Sequence, residues 1–456
     1  MFKRAQGLAL LLSFSCVFSL NAVKWDWNKI NLDQELMNFK VPKGFLWSAS
    51  SAAYQIYGAK GCPDSNWANF EKTHPQIIEE PSGCGCGTFG NHDADIACIE
   101  ELGLNAYRFS VDWSLIEPQQ GKLNRQVLED YKIFCQKLAA KGVQPIVALY
   151  HQVHPQWFAE LGGFEKEENL HHLVEFCKLV FTELQPYVKM WTVAAEPTTT
   201  ILQCYMRGVC PPGKSGFGNF KLAGEVLKNL LLAQVHVYQA LKQLPGGSQA
   251  QIGIAHGVLH ATPYYWFNPI ARITASYLDH MLNTTVMQFF KTGLFEYKMP
   301  RAYIRYECPE AVNAFDFFGV DYYSRIVVGT MGEAYAPDDI KTDMPYAFYP
   351  EGLYEAIEEV AVFKKPIYIL ENGIADAKDD RRSLWIQRHM YALKKALEAG
   401  YDVRGFSYWS LTDNWEWGTT KYRFGLFEVD FKTLSRKLRQ GSKMYQWIVK
   451  HTLGKL

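Results

Sequence analysis

The chain has 456 residues, 48% of them hydrophobic and 21% charged, with 47 Lys and Arg balanced by 47 Asp and Glu. The hydrophobic fraction excludes a disordered chain, and a formal net charge of zero leaves no basic excess for neutralising nucleic-acid phosphates, so no nucleic-acid partner is expected. Aromatic residues reach 15%, and aromatic faces serve either a large core or stacking on flat apolar surfaces such as sugar rings.

Lys3 and Arg4 precede an apolar run from about Gly7 to Leu20. This is the pattern of a secretory signal peptide with a cut after Ala22, giving a leader over 1–22 and one domain over 23–456. Export predicts a secreted, periplasmic or lumenal protein. Lipid anchoring at Cys16 is disfavoured by the Ser-Phe-Ser before it, and the run is too short for a comfortable membrane span. No other stretch reads as membrane-spanning.

Beyond the leader, short apolar segments alternate with amphipathic ones. Strands are expected at Gly44–Ser48, Ala106–Ser110, Pro145–Tyr150, Met190–Ala195, Ile252–Ala255, Phe317–Tyr322, Pro366–Leu370 and Gly405–Trp409. Helical spacing is clear in Gln126–Lys141, Asn169–Gln185, Leu222–Gln243 and Ser383–Ala399. Purely apolar strands suit a parallel sheet buried on both faces. About eight strand–helix units in sequence predict a single (β/α)8 TIM barrel with long loops at its C-terminal face. An open doubly wound sheet is the alternative, but no glycine-rich fingerprint follows the first strand.

Barrel enzymes carry their chemistry where strands end. There the chain offers Tyr54-Gln55, Arg108, His151, Glu196, Asp321-Tyr322-Tyr323, Glu371 and the segment from Trp409 to Trp417. Two glutamates, Glu196 and Glu371, follow the fourth and seventh strands on opposite sides of the expected mouth. Either alone reads as a rim residue in an ion pair. Two carboxylates facing each other across an aromatic pocket form a glycosidase constellation.

Export also bears on the cysteines. Nine follow Cys16, an odd number, so at least one is expected unpaired within the chain. Cys204 and Cys210 are close enough to bridge. Cys84 and Cys86 sit in the glycine-rich segment Pro81–Gly90, and loop disulfides are favoured there over a metal site because no set of further ligands accompanies them. Asn283-Thr284-Thr285 is a glycosylation sequon.

These segments resemble glycoside hydrolase family 1, the β-glucosidase and β-galactosidase family, over nearly the whole mature chain. Tyr54–Gly58 resembles its Y-Q-x-E-G, Tyr107–Ser110 its Y-R-F-S, and Leu149–His151 its L-Y-H. Leu370–Gly373 resembles T-E-N-G, and Trp409–Trp417 is close to W-S-L-x-D-N-F-E-W. The resemblance implies an exo-acting, retaining β-glycosidase, with Glu371 as nucleophile and Glu196 as acid and base. It implies that Arg108 and Tyr323 position the nucleophile, and that Gln55, His151, Glu416 and Trp417 bind sugar hydroxyls over a Trp409 platform. It implies no metal and no organic cofactor, and a small-molecule or oligosaccharide β-glycoside as substrate. Relatives that act on 6-phospho sugars replace the Glu416 position with serine, so a non-phosphorylated sugar is expected. Glu196 is retained, which favours ordinary O-glycosides.

The pattern breaks around the acid. The family's W-x-T-x-N-E-P reads Trp191-Thr192-Val193-Ala194-Ala195-Glu196-Pro197, with Ala195 in place of an asparagine that binds the sugar 2-hydroxyl. Losing such a contact costs about 2–4 kcal/mol on an ordinary glucoside. Gln152 replaces an aromatic, Ala194 a phenylalanine, Asp321 an asparagine and Tyr57 a glutamate. Gln152, Ala194, Ala195 and Asp321 are expected on the C2 side of the sugar. They fit a pocket adapted to an altered C2 substituent, such as a 2-acetamido or 2-amino group or a further sugar. The alternative is a weak or inactive relative that binds glycans or a protein. The leaving-group side is expected from the loops Asp64–Gly90, Gly208–Asn219 and Ile326–Tyr349.

Overall fold

The protein is represented by a computed structural model that describes residues 24–455, except 89, 331–333 and 336–338. The expected leader and Cys16 lie outside the described residues.

Eight parallel strands close into a barrel in sequence order: β1 (Leu46–Ser50), β2 (Ala106–Ser110), β3 (Gln144–Tyr150), β4 (Met190–Ala195), β5 (Gln251–Gly257), β6 (Phe317–Asp321), β7 (Ile367–Asn372) and β8 (Val403–Trp409). Closure is made by β1 against β8, paired from Leu46↔Gly405 to Ser50↔Trp409. Each expected strand is present, with no end moved by more than two residues. The outer ring includes α1 (His92–Leu102), α2 (Arg125–Ala140), α3 (Leu170–Leu184), α4 (Phe220–Lys242), α5 (Pro269–Asp279), α6 (Glu351–Val360), α7 (Arg382–Glu398) and α8 (Lys443–Thr452). Local signals set the helix starts. The Asn124 side chain accepts from Val127 N–H at 3.3 Å to begin α2, and Asn268 does the same for Ile270 and Ala271 before Pro269 opens α5.

Strand alternation divides the core into two layers. Ala106, Ile146, Met190, Ala195, Ala255, Phe317 and Leu370 plug the barrel interior, while the opposite faces, such as Tyr107, Phe109, Val193 and Phe318, pack with the helices. The inner plug is small, and the next inward position on β2 above Ala106 is Arg108, fully buried. The alternation breaks at two places. β4 shifts register between Thr192 and Ala195, and β7 between Ile369 and Glu371. Such irregularities re-aim side chains near functional sites, and here they precede the two strand-end glutamates.

The structure corrects several expectations. β1 ends at Ser50, so Gln55 lies on a following helical segment, Ala53–Gly61, rather than at the strand end. The Asp64–Gly90 connection contains a helix, Asn66–Thr73, capped by the Ser65 hydroxyl. The Cys204 and Cys210 sulfurs lie 2.16 Å apart, as the expected bridge requires. Cys84 and Cys86 form no disulfide: Cys84 is exposed while Cys86 is buried against Ile56 and Thr412, so the two side chains point apart. Gly85 between them has φ +57, and a Cβ there would come 2.4 Å from the Ile56 carbonyl oxygen. The Asn283 sequon is not available as folded. Its amide is buried, donates to Leu259 O and Asp279 Oδ1, and accepts from Leu259 N–H.

Candidate active site

A pocket opens at the C-terminal ends of the strands. It is lined by Glu196 and Glu371 with Gln55, His151, Gln152, Tyr323, Trp409, Glu416 and Trp417. Strands and loops more than 300 residues apart in sequence meet here, and the walls are aromatic, as sugar stacking requires. Trp67 and Trp415, which the sequence reading did not single out, complete the wall. Their rings stand edge to face at 5.4 Å. Trp415 was legible in principle, since it lies inside the Trp409–Trp417 motif.

Glu371 is held at both oxygens. Arg108 Nη1 donates to Oε1 in a short charged contact, and Tyr323 OH donates to Oε2 at 2.8 Å. The guanidinium balances the carboxylate charge, and the phenol fixes its plane. Burial and the Glu371 charge raise the Tyr323 hydroxyl well above the ordinary range, so it stays a donor.

Glu196 follows β4 with φ +48, a left-handed conformation that a glutamate adopts at a cost of about 1–3 kcal/mol. Its N–H donates to Ala255 O at 3.0 Å, and Pro197 then starts the helix Pro197–Thr200. Gly257 on β5 makes the space: a Cβ there would lie 2.8 Å from Glu196 Oε1 and 3.1 Å from Thr199 Oγ1. Burial, then the Glu371 charge, push Glu196 up to about 8 despite Arg108 and a bond from Thr199. The carboxyl therefore carries its proton at neutral pH.

One oxygen from each of Glu196, Glu371 and Asp321 lies within 4.8 Å of the others. That is close to the separation of retaining glycosidases, about 5–5.5 Å, and well short of the inverting range of about 6.5–9.5 Å. Glu416 accepts from Trp409 Nε1 at 3.1 Å, and burial raises it to about 8. Burial also lowers His151 to about 4, leaving a neutral imidazole. Gln55 Nε2 donates to Asn414 Oδ1 at 3.4 Å. His151 Nδ1 and Gln152 Nε2 are buried without a protein partner at the pocket wall.

The profile of glycosyl hydrolase family 1 matches residues 37–453. The chain belongs to this family. It is a glycoside hydrolase acting on O-glycosyl bonds, of the retaining β-glycosidase type. Beta-glucosidase A of Acetivibrio thermocellus is 28% identical over 452 residues, spanning 90% of this chain and 98% of that protein. Beta-glucosidase A of Thermotoga maritima is also 28% identical, over 90% of this chain and 98% of its own. Among solved structures, the beta-glycosidase from Pyrococcus horikoshii superposes with a TM-score of 0.82 at 29% identity, covering 91% of this chain and 95% of that one. The Thermotoga maritima beta-glucosidase in complex with deoxynojirimycin superposes at 0.80 with 26% identity, over 91% and 99% of the two chains.

The four residues expected on the C2 side are placed differently. Gln152 lines the pocket. Ala195 is in the inner barrel plug and Ala194 in the outer layer, because adjacent strand residues face opposite sides. Asp321 is buried, with a carboxylate oxygen within 4.8 Å of one from each glutamate. Tyr57 is buried away from the pocket, where Tyr131 is its hydrogen-bonding neighbour. Among the described residues, no helix is long and apolar enough to cross a membrane.

Proposed function

We propose that the protein hydrolyses terminal, non-phosphorylated β-O-glycosides by double displacement, from the non-reducing end, with a pocket adapted to an altered C2 substituent. The observation that carries this reading is the pairing of a proton-holding Glu196 with an Arg108- and Tyr323-held Glu371 inside one short carboxylate separation.

Glu371 attacks the anomeric carbon as Glu196 delivers its proton to the departing glycosidic oxygen, giving a covalent glycosyl-enzyme. Glu196, now a carboxylate, takes a proton from water as it attacks the same carbon, and Glu371 leaves. Arg108 and Tyr323 aim the nucleophile. Trp409 and Trp417 pack against the ring, while His151, Gln55 and Glu416 exchange hydrogen bonds with its hydroxyls. No lysine or arginine is among the described residues that line the pocket beside Glu371 and Glu416, so a sugar phosphate would be buried there without a cation. The altered C2 group is supported by Ala195, which offers no polar atom beside Glu196, and by the Gln152 amide free at the wall. We also propose export, on the Lys3-Arg4 and apolar leader pattern.

Incubation with a 2-deoxy-2-fluoro β-glycoside bearing a dinitrophenolate leaving group tests the mechanism. Intact mass should rise by one fluoroglycosyl group, mapped to the peptide of Glu371. No adduct, together with no turnover of any aryl β-glycoside differing at C2, would refute the reading.

A further inference from the structure

The double displacement leaves one buried group without a task. Asp321 ends β6, is 1% exposed, and neither carboxylate oxygen has a hydrogen-bond partner. Its nearest cation, Arg108 Nη2, is 4.0 Å from Oδ2, too far for a hydrogen bond, while Arg108 Nη1 is committed to Glu371. A buried carboxylate without donors is costly, so this position is incomplete as a purely structural ion pair.

Its place says what completes it. An anomeric carbon set between Glu371 and the Glu196 proton has Asp321 within a few ångströms, because the three carboxylates lie within 4.8 Å of one another. Of the sugar's groups nearest that carbon, the departing glycosidic oxygen is taken by Glu196, which leaves the ring oxygen bonded to it and the substituent carried on the neighbouring C2. Burial and the Glu371 charge raise Asp321 well above the ordinary carboxylate range, so a cationic partner is what would hold it ionised, and the ring oxygen carries neither charge nor hydrogen. The partner is therefore the group at C2. The inward positions Ala195, Ala255 and Gly257 near the two glutamates bring no polar side-chain atom, and the adjoining end of β7 holds Glu371 itself. No lysine or arginine is among the described residues that line the pocket, which already hold Glu196, Glu371 and Glu416.

We propose that Asp321 is a specificity-determining residue that receives the ammonium of a 2-amino-2-deoxy-β-glycoside. This rests on the retaining β-glycosidase reading above and narrows its substrate. An ammonium donates to Asp321 and balances its charge. A 2-hydroxyl offers one donor and no charge. A 2-acetamido group is bulkier, uncharged, and turns a carbonyl oxygen toward acidic walls.

The test compares aryl β-glucosaminide, β-glucoside and N-acetyl-β-glucosaminide with the full chain and with Asp321→Asn, at about pH 6, where the sugar amine is protonated. Wild type should favour the aminoglycoside in kcat/KM by about 10- to 100-fold, the worth of a charged hydrogen bond. Asp321→Asn should lose that preference, with kcat/KM on the aminoglycoside falling about 10- to 100-fold further than on the glucoside. Glucosamine should also inhibit wild type more tightly than glucose by about tenfold, a readout that does not depend on the variant folding. Equal or greater efficiency on the glucoside with equal inhibition by the two free sugars would overturn the assignment. So would preference for the acetamido sugar, or Asp321→Asn lowering all substrates alike in a folded protein. Those results leave the hydrolase reading intact, whereas no turnover of any substrate, dinitrophenyl glycosides included, would overturn both.

Discussion

Glu196→Gln keeps the shape of the acid and removes its proton. Burial and the neighbouring carboxylates hold Glu196 at about 8 against an ordinary 4.5. At pH 7 about 90% of molecules then carry the proton, against about 0.3% at the ordinary value, so the fold enriches the acid form about 300-fold. General acid–base assistance contributes about 10²–10⁴ in rate, and alkyl glycosides, whose leaving oxygen needs the proton, should lose that factor in kcat/KM. Dinitrophenyl glycosides need no proton to depart. With them glycosyl-enzyme formation should persist and hydrolysis should become limiting, giving a burst, a low kcat and a reduced KM. In wild type, kcat/KM should fall as pH rises through about 8 because the acid form is lost, and this limb should be absent in the variant. Stopped-flow bursts and pH profiles for the two leaving groups measure all of this. Equal losses on both, without a burst and with the alkaline limb unchanged, would refute the assignment of Glu196 as acid.

Gly257→Ala places a Cβ 2.8 Å from Glu196 Oε1, so the carboxyl must move; kcat should fall by about 10- to 100-fold with little change in Tm, and an unaltered kcat would count against the geometry. Arg108→Met strands Glu371 and Asp321 in the barrel and should cost about 3–5 kcal/mol in urea unfolding, with Arg108→Lys recovering only part because the fork is lost. A full-strength Tm for Arg108→Met would sink that account. Glu196 and Glu416 are raised to about 8 when folded, above the unfolded glutamate value. Their contribution is therefore complete below about pH 4.5 and lost as pH climbs through about 8, by about 1.4 kcal/mol per pH unit for each group. Unfolding measured from pH 5 to 9 should show that decline, shallower in Glu416→Gln; stability rising over the same range would contradict the sign.

The barrel strands were readable because both their faces are buried, which writes each of them as a short apolar run. Glu196 and Glu371 stood out because charge is unusual directly after such runs. Ala194 and Ala195 were harder. They are adjacent in a motif, and only the register shift in β4 determines that Ala195 faces the barrel interior while Ala194 faces the helices. The Cys84 and Cys86 spacing suggested pairing, but the turn at Gly85 sends one sulfur outward and the other inward. Asn283 satisfies a sequon rule that says nothing of burial, and its amide is spent on Leu259 and Asp279.

Apolar strands alternating with amphipathic helices commit this chain to a parallel sheet covered on both faces, and about eight units with no glycine-rich fingerprint after the first strand favour its closure as a barrel. The motifs at their ends likewise carry the family and its two glutamates. Distances and unmet hydrogen bonds lie outside that reach. The short carboxylate separation, the proton on Glu196 and the unpartnered oxygens of Asp321 arise among groups at the ends of four different strands, where closure of the barrel removes water and leaves Arg108 bonded to Glu371. Electrostatics of that kind depends on burial and on ångström-scale separations, and both exist only once the chain has folded.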